Sequence, residues 1–235
     1  MWKRIVSDIL RTRPGAILTG LLILVASGRS GAQDSPGLEE IVARVNKYQE
    51  GAFQFVRSIK VVQTVVQESS KETRKEKALV LFQPPSQVNR EVQWSNIGHP
   101  SNGFPLKHLM GFRLLQQDYR VSLVGVDEVG DQKTYKLRIQ PTAEKGRGVD
   151  GFLWVSARDY GPVKVAGSMT NPPFPIKSIK MEWAYLPGPS GLWVLQRDST
   201  DALAKIVFKT IKGTSVATYS DYEMEGEGSG VGGGQ

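Results

Sequence analysis

Apolar and polar residues alternate one for one along much of the second half of the chain. Tyr135, Leu137 and Ile139 are separated by Lys136, Arg138 and Gln140, and Ile179, Met181, Trp183 and Tyr185 are interleaved with Lys180, Glu182 and Ala184. A strand turns successive side chains to opposite faces, so each segment hides one face and wets the other. Candidate strands of this kind fall near residues 119–127, 133–140, 151–157, 162–169, 176–185, 192–199, 204–211 and 214–222. Turn signals stand between them at Gly130-Asp131, Gly161-Pro162, Pro187-Gly188-Pro189 and Lys212-Gly213. Strands at that spacing, almost without helices, predict a meandering antiparallel sheet or open barrel. A sheet with one apolar face has to cover it, and the cover is the functional question.

The first half reads differently. Ser35-Pro36 is a helix start, Glu39 and Glu40 suit the positive end of a helix dipole, and Leu38, Ile41, Val45 and Tyr48 make one apolar stripe ending at Gly51. Residues 53–66, rich in β-branched side chains, read as a long strand. The mixed-sign run 68–77 reads as a solvated hairpin tip rather than a basic patch. Residues 78–82 return as a strand, Pro84-Pro85 breaks it, and 88–94 continues the sheet. Residues 97–117 mix Pro100, Gly103, Pro105 and Gly111 with Phe104, Leu106, Leu109, Met110, Phe112, Leu114 and Leu115. A long loop of that composition suits a lid or binding loop.

Ahead of all this, Lys3, Arg4, Arg11 and Arg13 precede an uncharged run of about 14 residues and then Ser30-Gly31-Ala32. The pattern is that of a secretory signal, residues 1–32, cleaved after Ala32. It implies a domain over 33–222, periplasmic and free of a lipid anchor, and a disordered acidic and glycine-rich tail over 223–235. No cysteine is present, so core burial alone must stabilise the domain. The formal net charge of +7 misleads: Lys3, Arg4, Arg11, Arg13 and Arg29 against Asp8 account for four of it, leaving +3. The remaining basic residues are interleaved with acids, so no nucleic-acid footprint is formed.

Catalytic motifs are weak. G-x-G-x-x-G occurs at Gly146-Gly148-Gly151 and Gly228-Gly230-Gly233, but neither copy follows a strand and opens a helix, as phosphate binding requires. His99 and His108 have no carboxylate pair or nucleophile motif near them. These absences point to a non-enzyme without cofactor or metal. Trp94, Trp154, Trp183 and Trp193 fall in predicted strands, where they serve either as core or as cavity walls. Arg90 alternates in phase with Val88, Val92 and Trp94, which turns it inward; a charge there is costly unless paired.

The order of these features resembles the LolA/LolB-like lipoprotein-carrier family. One helix, the strand 53–66, Pro84-Pro85, Arg90 and Trp94 resemble its opening. Tyr119 with Val121, Leu123 and Gly125, then Asp150-Gly151 with Trp154-Val155, Asp159-Tyr160 with Pro162-Val163-Lys164-Val165, and finally Tyr219-Ser220-Asp221-Tyr222 resemble its later part. The resemblance implies a mainly β fold: an unclosed antiparallel half-barrel with an N-terminal helix and a lid over the concave face. It implies a hydrophobic-ligand carrier whose partners are acyl chains of lipoproteins or other lipids, with only transient membrane contact and Arg90 holding the lid shut. A regulatory or protein-interaction domain of the envelope is the alternative. Candidate ligand contacts are Phe55, Ile59, Phe82, Arg90 and Trp94 from the opening strands and Leu106, Met110 and Phe112 from the loop. Tyr135, Leu137, Trp154, Met181 and Trp183 complete the set.

Overall fold

The computed structural model describes residues 36–69, 71–83, 87–97, 118–142, 148–188, 191–206 and 209–226. The helix α1 (Leu38–Phe55) is followed by strands β1 (Val56–Ser69), β2 (Thr73–Gln83), β3 (Gln87–Ser95), β4 (Tyr119–Val129), β5 (Gln132–Pro141) and β6 (Val149–Ser156). Strands β7 (Pro162–Met169), β8 (Ile176–Pro187), β9 (Trp193–Ile206) and β10 (Lys209–Gly226) follow among the described residues. All ten strands lie in one sheet of order β3-β2-β1-β10-β9-β8-β7-β6-β5-β4, and every pairing is antiparallel. The sheet is not closed: β3 and β4 are its edges, while β1 and β10 meet in its interior. This is the open antiparallel sheet that the alternation predicts and, among the described residues, the one-helix half-barrel that the resemblance implies.

One face of the sheet is the inner face, and α1 packs there. Ile41, Val42, Val45 and Ala52 of α1 join the buried side chains of the strands in one core. Cross-strand register carries a single inner row over the whole sheet: Ser95, Glu76, Val65, Ala217, Asp198, Trp183, Val165, Leu153, Leu137 and Leu123 stand successively opposite one another. The β4–β8 part of that row is apolar. The part on β2 and β9 carries two carboxylates, Glu76 and Asp198, both buried.

Several elements differ from the sequence reading. The helix starts at Leu38 with Gly37 as its N-cap and runs through Gly51 to Phe55, because the stripe that buries Val45 continues to Ala52. The run 68–77 does hold the expected hairpin tip, but the tip is narrower: β1 and β2 extend into the run from either side, leaving the turn between Ser69 and Thr73, with Glu68 opposite Thr73. In place of three terminal strands there are two long ones, for Gly213 lies within β10, paired with Ser69 on one side and Ala202 on the other. The sheet also continues past Tyr222, where Glu223, Met224 and Glu225 pair with Lys60, Ile59 and Ser58. Among the described residues, no helix is long and apolar enough to cross a membrane.

Candidate functional site

α1 is fixed over one end of the inner face by polar contacts at its flanks. Arg44 donates to the Tyr160 hydroxyl at 3.1 Å and lies over its ring, which stacks on Tyr135 at 6.0 Å. The Trp193 backbone N–H donates to the Tyr48 hydroxyl at 2.7 Å, and the Trp193 indole donates to Asp159 at 3.0 Å. Gly161 makes room for that indole, since a Cβ there would lie 1.9 Å from the ring. Burial pushes the Tyr48 phenol up to about 12, so it remains a neutral hydrogen-bonding group at any physiological pH.

On β1, β2, β9 and β10 the inner face sets polar side chains among its apolar ones. Arg90 forms an ion pair with Glu76 and donates through Nε to the Gln63 carbonyl oxygen at 3.1 Å. Gln63 in turn donates to the Tyr219 hydroxyl at 3.0 Å. Four strands thus contribute one connected chain of polar side chains, which is how a charge survives beside Val80 and Val61. The second carboxylate, Asp198, accepts hydrogen bonds from Trp183 and from Thr200, the latter at 3.4 Å. Burial raises its carboxyl to about 6. Tyr185, paired with Leu195, is buried with its hydroxyl unpartnered. Its ionisation is opposed by burial and then by the Asp198 charge.

A groove of about 360 Å³ opens on this part of the face, lined by Gln67, Ser69, Arg74, Thr200, Thr214 and Ser215 among others. Towards the two edges of the sheet the inner face is apolar and less covered. Val88 and Val92 on β3 are 40% and 42% exposed; Leu123 and Val126 on β4 are 37% and 53% exposed. They are in register with buried inner residues: Phe82, Ala78, Leu137 and the half-buried Tyr135, respectively.

The expected ligand contacts are distributed unevenly. Ile59, Phe82, Leu137, Met181 and Trp183 are buried on the inner face, and Tyr135 is half-buried there beside Tyr160. Arg90 is inward as expected, but its partners are Glu76 and Gln63 within the sheet. Trp94 is not in phase with it. A bulge between Val92 and Trp94 sets Trp94 opposite Lys77, on the outer face, where it is 54% exposed. Trp154 is also outward: it pairs with Lys136 and Lys164, both ammonium groups lie over its ring, and its indole donates to Asp127 at 3.0 Å. Phe55 ends α1 and is 60% exposed, clear of the core. Leu106, Met110 and Phe112, the whole expected lid, and His99 and His108 lie outside the described residues.

Gln63, Glu76, Asp198, Tyr185 and Tyr219 were not among the expected site residues. Gln63 and Glu76 carry a readable signal, each being a polar residue in phase with a buried apolar row, Val61 and Val65 or Ala78, Val80 and Phe82. Asp198 does not, because a bulge between Leu195 and Arg197 shifts its phase.

No protein-family model matches the sequence, and no curated protein matches it. Among solved structures the chain is similar to a LolA-superfamily protein from Nitrosomonas europaea at 13% identity, over 81% of this chain and 94% of that one, with a TM-score of 0.47. It is similar to a putative outer-membrane lipoprotein-sorting protein domain from Vibrio parahaemolyticus at 13% identity, over 83% and 94%, with a TM-score of 0.48. A DUF1329-family protein from Desulfovibrio piger is similar at 10% identity, over 83% and 94%, with a TM-score of 0.45. Lipoprotein-sorting and LolA-superfamily structures thus stand among those the chain is similar to, the grouping its residue order resembles.

Proposed function

We propose that the protein is a non-enzymatic binding or carrier module of the periplasm that shelters the acyl chain of a lipid or lipoprotein on the inner face of its half-barrel. The observation that carries this reading is the apolar inner surface reaching both open edges of the sheet, with Val88, Val92, Leu123 and Val126 still exposed in register with the core. A chain laid along either edge extends the core outward, and each methylene it hides from water is worth about 0.8 kcal/mol. The basic start and short apolar run of residues 1–32 support export, and contact with a membrane would be transient, during loading and delivery.

Organic extraction of protein purified from its native envelope, followed by mass spectrometry, tests the reading. A stoichiometric lipid is the expected result. A fluorescent fatty-acid probe should bind saturably, and Val92→Asp or Leu123→Asp should weaken it about tenfold. Absence of co-purifying lipid together with no saturable probe binding overturns the proposal.

A further inference from the structure

Resting on the carrier reading, we infer that the tip of the β9–β10 hairpin and the neighbouring β7–β8 loop dock the protein on an anionic lipid bilayer. The hairpin outruns its sheet. β1 ends at Ser69, opposite Gly213, so Lys209–Lys212 of β10 runs past it, about 13 Å of strand. On the other flank β8 begins at Ile176, opposite Ala204. Beyond it the Lys205 backbone N–H donates to the Pro175 carbonyl at 3.1 Å, which sets the β7–β8 loop beside the hairpin. That loop, residues 170–175, carries Phe174 between Pro173 and Pro175, and the ring is 90% exposed. The prolines fix their own φ and stiffen the loop that presents it.

Ile206 and Ile211 are exposed on the hairpin itself. Register sets Ile211, Ala204 and Ile176 in one cross-strand row, with Ile206 opposite Lys209 two residues further out. Around these apolar groups stand Lys177, Lys205, Lys209 and Lys212, all exposed. Residues 170–177 and 202–212 hold these lysines and no acid. Asp201, just inside the hairpin, is opposite Lys180 and accepts from the Thr214 hydroxyl at 2.7 Å. The adjacent β1–β2 tip is balanced: Lys71 and Arg74 stand with Glu68 and Glu72, and Arg74 pairs with Glu72. An exposed ring and aliphatic side chains among lysines match the headgroup region of an anionic bilayer, where apolar groups sink and ammonium groups reach phosphate. Each lysine at such a surface is worth about fivefold in affinity. A soluble acidic chain would satisfy the lysines and leave Phe174 in water; a bilayer satisfies both. Ala202 and Gly213, at the root of the hairpin, line the inner-face groove. Docking by the tip therefore brings that groove beside the membrane from which a carrier loads.

Co-sedimentation with vesicles tests the inference, on protein purified as for the lipid extraction. Phosphatidylcholine vesicles with about a third phosphatidylglycerol should bind at least about tenfold more tightly than phosphatidylcholine alone, and about 0.5 M salt should abolish the difference. Lys205→Gln, Lys209→Gln and Lys212→Gln together should remove that preference. Lys47→Gln, Lys77→Gln and Lys133→Gln together remove the same charge from other exposed positions and should keep it. Phe174→Ser should weaken binding to the anionic vesicles about tenfold with the thermal midpoint unchanged. The chain has no cysteine, so Phe174→Cys takes a single environment-sensitive dye. Its emission should shift to the blue on anionic vesicles, and that of the same dye on Lys133→Cys should not. Several results overturn the inference: no binding or equal binding to the two vesicles, an equal loss in the control triple variant, or an unshifted dye at position 174. Polyglutamate binding as tightly as the anionic vesicles, or self-association abolished by Phe174→Ser, overturns it in favour of an acidic polypeptide or a second copy. The fatty-acid probe should bind the tip variants unchanged. Probe binding without vesicle docking sinks this inference alone, and docking without probe binding keeps the surface and overturns the carrier reading.

Discussion

Gly151 and Gly167 stand opposite each other on β6 and β7, and a Cβ added to Gly151 would lie 2.1 Å from the Ala166 carbonyl oxygen. A Cβ on Gly167 would meet the Asp150 carbonyl oxygen at 2.5 Å. Both positions share the inner face with Leu153 and Val165, so the missing side chains let the two backbones approach closely. Gly151 belongs to a phosphate-loop pattern in the sequence, yet what requires a glycine here is the close approach of β6 and β7. Gly151→Ala should cost about 1–3 kcal/mol through overpacking, read as a lower thermal midpoint. Gly51→Ala, where a Cβ meets nothing within 4 Å, is the control and should gain up to about 1 kcal/mol in the helix interior.

Leu137 and Lys136 are neighbours on opposite faces of β5. Leu137 is fully buried between Leu123 and Leu153, whereas Lys136 pairs with Asp127 at 3.3 Å and lies over the rings of Phe152 and Trp154. Leu137→Lys should destabilise by several kcal/mol, because it sets an unpaired charge in an apolar row. Lys136→Leu loses a partly exposed ion pair but keeps its apolar contact with the rings, so the change should stay within about 1 kcal/mol. Urea unfolding of the two variants checks this, and equal losses would mean that the strand phase is wrong.

That phase was legible because a period of two is written directly into residues 135–140 and 176–185. The helix was legible through its stripe, and Gly51 misled only because a glycine is tolerated where packing on both sides of it holds the helix. The run 68–77 was legible as a hairpin tip, but its mixed charges hid how far the two strands run into it. In β2 the charges Thr73-flanking Arg74, Lys75 and Lys77 sit around a single buried Glu76, whose partner Arg90 is 14 residues away. Trp94 and Asp198 were beyond reach for a different reason. Each follows a bulge, where one extra residue exchanges the faces without leaving a compositional trace.

The Arg90–Glu76 pair ties the edge strand β3 to β2. Glu76 is almost wholly buried and Arg90 nearly so. Removing one partner of such a pair strands the other charge and costs about 3–5 kcal/mol, while replacing both with apolar groups is often close to neutral. Arg90→Leu and Glu76→Leu should each lower stability by that order, and the double variant should be more stable than either. A double-mutant cycle by urea unfolding measures the coupling. Additive losses would reduce the pair to two independent side chains.

Asp198 should make stability depend on pH in a direction opposite to that of an ion-paired carboxylate. Its carboxyl rises from 3.8 to about 6 on folding because burial disfavours the charge, with the hydrogen bonds from Thr200 and Trp183 only partly offsetting it. Between those two values the native state binds more protons than the unfolded chain, so the contribution of Asp198 to stability falls as pH rises from about 4 to 6 and stays at its least favourable above that window. A shift of that size corresponds to at most roughly 3 kcal/mol at 1.36 kcal/mol for each tenfold change. Asp198→Asn cannot ionise. Wild type and Asp198→Asn should therefore be closest in stability near pH 4 and diverge by about 1–3 kcal/mol in favour of the variant at pH 7.5. Other titrating groups are common to both proteins and cancel in the difference. Urea midpoints at the two pH values give the result directly, and a gap that does not change with pH would place the Asp198 titration outside the window.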